Sequence, residues 1–388
     1  MGITRKIIIS VSLIMSVLFL SSCSYVTSID RLLSPPKLTE LQAELLDALE
    51  QGLQTDVGNV ILKYPNYGEG DEINRKAFIL ADIDGDGQDE TIVFHQSKES
   101  AGAEIIMNIL DNIDGKWVWM CDTEQKINTE YSRSEILNVI FEDLNGDGKN
   151  EIITEWSLST STNRCFIIMD YIVNDDGGSL IISDAAEHSR LVVCDLDEDG
   201  SKEIFTAAIN FVEKTSSARL YKMNKSGDIY VAMETAMDAS ATSYAPLICS
   251  RLYGTEKPAV YADGYKSNNE MITEVIFCRE QNNSKELFNP FYIQPASILN
   301  NEGEATVSGM VTATMRNSAL LTEDINGDGY PDIPFCEPLP PISAQSDEKT
   351  GGPAEYSAET VYRTLYGSYT GDEFVYTVDS MGRFLSKG

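Results

Sequence analysis

The sequence predicts an all-β fold: a β-propeller of about five four-stranded blades, with six or seven as alternatives, behind a short N-terminal helix. Three observations point there. A nine-residue, oxygen-rich motif recurs four times, each copy lies between two apolar β-prone runs, and from about residue 57 onward only short strands and turns are legible.

The four copies are Asp82–Glu90, Asp143–Glu151, Asp195–Glu203 and Asp324–Asp332, and all fit D-x-[DN]-x-D-G-x-x-[DE]. Their starts are 61, 52 and 129 residues apart. The last gap is about double, so a degenerate unit is expected within it. Leu247-Ile248-Cys249, Gly254 and Ala259-Val260-Tyr261 supply its strand–turn–strand pattern without the carboxylates. Apolar runs precede the motifs, among them Leu191-Val192-Val193 and Leu320-Leu321. Others follow them, among them Ile92-Val93-Phe94 and Ile333-Pro334-Phe335. Two further strand-like runs follow each unit, giving four strands per unit. A propeller of such units leaves only short, protected edges. Solenoid repeats are shorter. Val60-Ile61-Leu62 can add a closing strand or a sixth partial blade.

Residues 38–53 read as an amphipathic helix packed on the main domain. Leu38, Leu41, Leu45 and Leu49 share one face, and Thr39 with Gln42 can form a capping box. Ahead of it, Arg5 and Lys6 precede an apolar run, Ile7–Leu20, of secretory length. Leu20-Ser21-Ser22-Cys23 resembles the bacterial lipobox, which implies cleavage and a diacylglycerol on Cys23. Two acyl chains suffice for stable anchoring. The expected organisation is a lipoprotein signal peptide over 1–22, a lipidated tether and helix over 23–56, and the propeller over 57–388. The expected location is the extracytoplasmic side of the cell membrane. The other six cysteines, Cys121, Cys165, Cys194, Cys249, Cys278 and Cys336, lack zinc-type spacing and read mostly as buried thiols. Cys194 and Cys249 occupy equivalent places in neighbouring repeats and form the first pair to test for a disulfide.

The net charge is -32, from 61 acidic and 29 basic residues, which repels nucleic acid and attracts divalent cations. Calcium takes six to eight oxygen ligands. Side chains at positions 1, 3, 5 and 9 and the carbonyl at position 7 can supply them, with glycine at position 6 allowing the reversal. The candidate ligands are Asp82, Asp84, Asp86, Gln88 and Glu90; Asp143, Asn145, Asp147, Lys149 and Glu151; Asp195, Asp197, Asp199, Ser201 and Glu203; and Asp324, Asn326, Asp328, Tyr330 and Asp332. About four calcium ions are expected. An EF-hand needs an acid at position 12, but Val93, Thr154, Thr206 and Phe335 stand there.

These loops, each followed by a strand, resemble the FG-GAP/VCBS repeats of integrin-type β-propellers and of bacterial exported proteins. The resemblance covers roughly residues 57–388 and fails in the degenerate fourth unit, which is not expected to bind metal. It implies a propeller and calcium; it implies no activity.

No nucleophile elbow, P-loop or dinucleotide fingerprint is present. His95 reads as a strand residue and His188 as a turn residue. Trp117 and Trp119 alternate on one strand face, consistent with packing between blades. The expected function is non-catalytic binding of a protein or glycan at the envelope. The alternative is a polysaccharide- or peptidoglycan-acting enzyme, whose two acids need no sequence signature.

Overall fold

The computed structural model describes residues 39–66, 76–98, 104–123, 133–159, 161–174, 177–267, 269–292, 314–316, 320–338 and 362–379. The leader, Cys23, the tether and Leu38 lie outside them. The chain divides between Ala48 and Leu49 into two units. The helix α1 (Glu40–Leu53) runs across that boundary and opens with the expected capping box. Thr39 N donates to Gln42 Oε1 at 3.0 Å, and Gln42 N donates to Thr39 Oγ1 at 3.2 Å. Leu45, Ala48 and Leu49 are buried, whereas Leu41 is 40% exposed, so the apolar stripe covers only the later turns. No described helix is long and apolar enough to cross a membrane.

Beyond α1, the described residues of the second unit form five antiparallel sheets. The first holds β1 (Val60–Lys63), β2 (Phe78–Ala81), β3 (Glu90–Ser97), β4 (Ile106–Ile113) and β5 (Lys116–Asp122). Here β1 and β2 lie end to end along β3, pairing Val60 with Ser97 and Ala81 with Glu90. The Val60–Leu62 run therefore belongs to the first sheet. The second sheet holds β6 (Arg133–Glu142), β7 (Glu151–Leu158), β8 (Arg164–Asn174) and β9 (Gly177–His188). The third holds β10 (Arg190–Cys194), β11 (Glu203–Asn210), β12 (Thr215–Met223) and β13 (Ile229–Met237).

The fourth sheet is the degenerate unit. It holds β14 (Ala241–Tyr244), β15 (Ile248–Arg251), β16 (Pro258–Lys266), β17 (Met271–Gln281) and β18 (Ser284–Phe288). In the described residues the fifth has three strands, β19 (Ile333–Pro338), β20 (Tyr362–Tyr369) and β21 (Phe374–Asp379). The strand expected at Leu320-Leu321 does not form; a single bridge, Glu323 to Asp332, stands near it. Its backbone is committed elsewhere: Leu320 O accepts from Arg316 Nε, and Thr322 N donates to Asp263 of the fourth sheet.

Apolar cores lie between consecutive sheets. Phe94, Ile109, Trp156 and Ile167 join the first two, with Phe94 edge-on to Trp156 at 6.0 Å. Phe166, Ile168, Ile204 and Tyr221 join the second and third. Phe205, Leu220, Val260 and Ile276 join the third and fourth, and Tyr261, Phe277, Phe335 and Tyr369 the fourth and fifth. The central strands β3, β7, β11, β16 and β17 are buried on both faces, which is why they read as continuous apolar runs.

Candidate metal centres

Each motif loop runs into a central or leading strand of its sheet (β3, β7, β11 and β19) with the same local turn. The position-1 aspartate caps the loop's own N–H groups. Asp143 Oδ1 accepts from Gly146 N at 2.7 Å and Oδ2 from Gly148 N at 2.9 Å. Asp82 and Asp324 repeat the pattern with Gly85, Gly87, Gly327 and Gly329. Asp195 reaches Asp199 and Gly200. Position-5 carboxylates accept from the position-7 N–H groups of Gln88, Lys149, Ser201 and Tyr330 at 2.7–2.9 Å. At the far end, the position-9 acids take the position-2 N–H: Glu90 from Ile83, Glu151 from Leu144, Glu203 from Leu196 and Asp332 from Ile325. Gly87, Gly148, Gly200 and Gly329 have φ of 87–91°, as position 6 requires.

These turns bring carboxylates together. One oxygen from each of Asp195, Asp197, Asp199 and Glu203 lies within 4.8 Å of the others, and the same holds for Asp82, Asp84 and Asp86. Glu90 stands outside that second group. In the second and fourth loops an amide oxygen, from Asn145 or Asn326, replaces one carboxylate. An all-oxygen donor set of this density suits a hard cation. The electrostatics agree. Burial pushes Glu90 up to about 7, with the Asp84 and Asp111 charges adding to it. Burial pushes Glu151 to about 7 as well, helped by Asp170, Asp147 and Asp143, and Glu203 to about 7, partly offset by Lys222.

Sequence reading missed the residues facing position 9 across the next strand pair. Register sets them, one step beyond the pairs Thr91–Leu110, Ile152–Met169, Ile204–Tyr221 and Ile333–Gly367. They are Asp111, Asp170, Lys222 and Ser368. Loops also touch their neighbours. Asn150 of the second loop bonds the backbone of the first through Ile83 O at 2.9 Å and Asp82 O at 2.7 Å. Lys202 of the third reaches Glu142 ahead of the second at 2.8 Å. Tyr330 of the fourth packs edge-on to Tyr253 at 5.2 Å.

The other singled-out residues are mostly core. His95 is a buried strand residue bonded to Asn108 at 2.7 Å, and burial lowers its pKa. His188 is not a turn residue: it ends β9, fully buried, with Nε2 3.0 Å from Glu155 Oε1. Trp156 is buried, while Trp117 and Trp119 are half-buried on their strand face. Trp119 lies against Gly52, where a Cβ would come within 2.1 Å of the ring. No disulfide links the described cysteines; Cys194 and Cys249 meet as thiols, and the shared contact and burial raise the Cys194 pKa.

Away from the loops, an open cleft of about 880 Å³ lies at the third sheet, lined by Asn163, Glu187, Phe211, Val212, Ser216 and Arg219 among others. Phe211 and Val212 are 50% and 92% exposed at its rim. Of its three acids, Glu234 pairs with Arg219 at 2.9 Å and Glu187 accepts from Asn163 at 2.8 Å, while Glu213 is exposed. Comparison with models of known protein families and with curated proteins finds no match for this chain.

Proposed function

We propose that this chain is a non-catalytic, calcium-stabilised β-propeller. It is held on the extracytoplasmic side of a bacterial membrane by lipid on Cys23, and it binds a protein or glycan there. The calcium reading rests on one observation above all: the same oxygen-lined turn, with its position-1 and position-9 acids hydrogen-bonded to its own backbone, is built four times, and in the first and third copies three or four carboxylate oxygens lie within 4.8 Å of one another. The propeller reading is supported by five sheets packed in chain order through four shared cores. The loops' resemblance to FG-GAP/VCBS repeats agrees with both.

The binding reading draws on the cleft at the third sheet, whose rim exposes Phe211 and Val212 beside hydrogen-bonding groups. Two of its acids, Glu187 and Glu234, are held by Asn163 and Arg219, which favours contact over acid–base chemistry. The test is thermal unfolding with calcium and with chelator. A site at 100 times its Kd adds about 2.7 kcal/mol, so millimolar calcium raises Tm by several degrees and chelator reverses the rise. No shift would refute the calcium reading. Pull-down from envelope extract with the tagged mature domain, with and without calcium, then identifies the partner.

A further inference from the structure

The third loop faces a side chain its counterparts lack. Lys222 projects from β12 opposite Glu203, where the other loops have Asp111, Asp170 or Ser368. Its Nζ lies 2.7 Å from Asp197 Oδ2, 2.6 Å from Asp199 Oδ2 and 3.2 Å from Glu203 Oε1. An ammonium has three donors, and three carboxylates surround this one. Burial works against its charge, but Asp197, Asp199 and Glu203 outweigh that and hold the ammonium above its ordinary range. Lys285 brings a second positive charge, donating to the Asp197 carbonyl.

We propose that the Lys222 ammonium is the resident cation of the third loop, so that divalent metal is taken by the first, second and fourth loops only. The proposal rests on the calcium reading of the loops. Asp197 and Glu203 are 7% and 1% exposed, and Asp197 Oδ1 and Glu203 Oε1 accept no hydrogen bond. The nearby ammonium is what compensates these buried oxygens. A divalent ion seated on the same oxygens would have to expel it. In the other three loops the facing residue donates no positive charge. Asp111 and Asp170 add negative charge, felt by Glu90 and Glu151, and Ser368 Oγ donates a single neutral hydrogen bond to Asp332 at 3.0 Å. The residue facing position 9 thus divides the loops into metal-seeking and self-neutralised ones.

Counting bound calcium by native mass spectrometry on the whole mature chain tests this. Lys222→Met keeps the stem and removes the charge, leaving four converging carboxylates. It is expected to hold one ion more than the wild type. Asp199→Ala is expected to hold the same number as the wild type, whereas Asp86→Ala, in the first loop, holds one fewer. Equal counts for Lys222→Met and wild type overturn the proposal, as does an ion lost from Asp199→Ala, which stays informative if Lys222→Met folds poorly. A wild type that binds no calcium overturns the calcium reading instead; the difference between wild type and Lys222→Met still decides this one.

Discussion

Gly85 is the place where two of the loops can be separated experimentally. It has φ of +77°, and a Cβ there would lie 2.3 Å from the Gly148 carbonyl oxygen and 3.3 Å from its carbon. Gly146, at the same position of the second loop, has φ of +75° and nothing within 4 Å of its Cβ position. Alanine in the left-handed region costs about 1–2 kcal/mol at either site. At Gly85 the added carbon also meets backbone, which no rotamer change relieves, and overpacking of that kind costs a further 1–3 kcal/mol or so. The first loop cannot shift cheaply, because Asn150 ties its backbone at Ile83 O and Asp82 O. Gly85→Ala is therefore expected to lose about 2–5 kcal/mol and Gly146→Ala about 1–2. Urea midpoints in saturating calcium compare them. If the two variants agree within about 0.5 kcal/mol, the loops do not press on each other and the reasoning fails.

Two more outcomes follow from buried charge. In chelator, stability is expected to fall as pH rises from about 4.5 to about 7, because Glu90, Glu151, Glu203 and Glu274 are all pushed to about 7 by burial from an ordinary 4.5. Each raised carboxyl adds stability below about pH 4.5 that is lost as pH passes its folded value, up to about 3 kcal/mol per group. Saturating calcium should flatten the contributions of Glu90 and Glu151 and leave those of Glu203, whose loop holds Lys222, and of Glu274; a pH-independent urea midpoint in chelator would contradict this. Asp263→Ala is expected to cost about 3–5 kcal/mol, since it strips the partner 3.0 Å from the fully buried Arg316 guanidinium and also frees Thr322 N. Replacing Arg316 by Met as well should recover part of that loss in a thermal melt; a single-variant loss under about 1 kcal/mol would count against the pair.

What the sequence disclosed was local. Apolar runs flank loops of fixed composition, and Thr39 and Gln42 sit three residues apart, so strands, turns and helix cap follow from short-range chemistry. Long-range pairing was not disclosed. Lys222 lies nineteen residues beyond Glu203, in an ordinary alternating strand, and only the register of β11 with β12 brings it onto the third loop. Leu320-Leu321 looked like its counterparts but gave up strand pairing to the buried Asp263 and Arg316 group, whose members come from distant segments. His188 read as a turn because it precedes β10; its partner Glu155 is on another strand. How the sheets pack is equally non-local: each described core joins neighbouring sheets in chain order.

The fourth sheet shows what the loops need in physical terms. Cys194 pairs with Glu203 across a nine-residue motif, whereas Arg251 pairs with Pro258 across a turn two residues shorter. The short turn satisfies its own backbone, with Leu252 N donating to Lys257 O at 2.9 Å and Thr255 N to Leu252 O at 3.0 Å, and it carries no carboxylate cluster. The longer loops use carboxylates to cap N–H groups that their wider path leaves unpaired, and so gather negative charge that must be neutralised. In the third loop Lys222 does so; in the others an ion is the remaining candidate. Metal on this account compensates a particular way of turning a corner rather than specifying the strands it joins. Its removal should then loosen the first, second and fourth loops while the strand order of the third and fourth sheets persists.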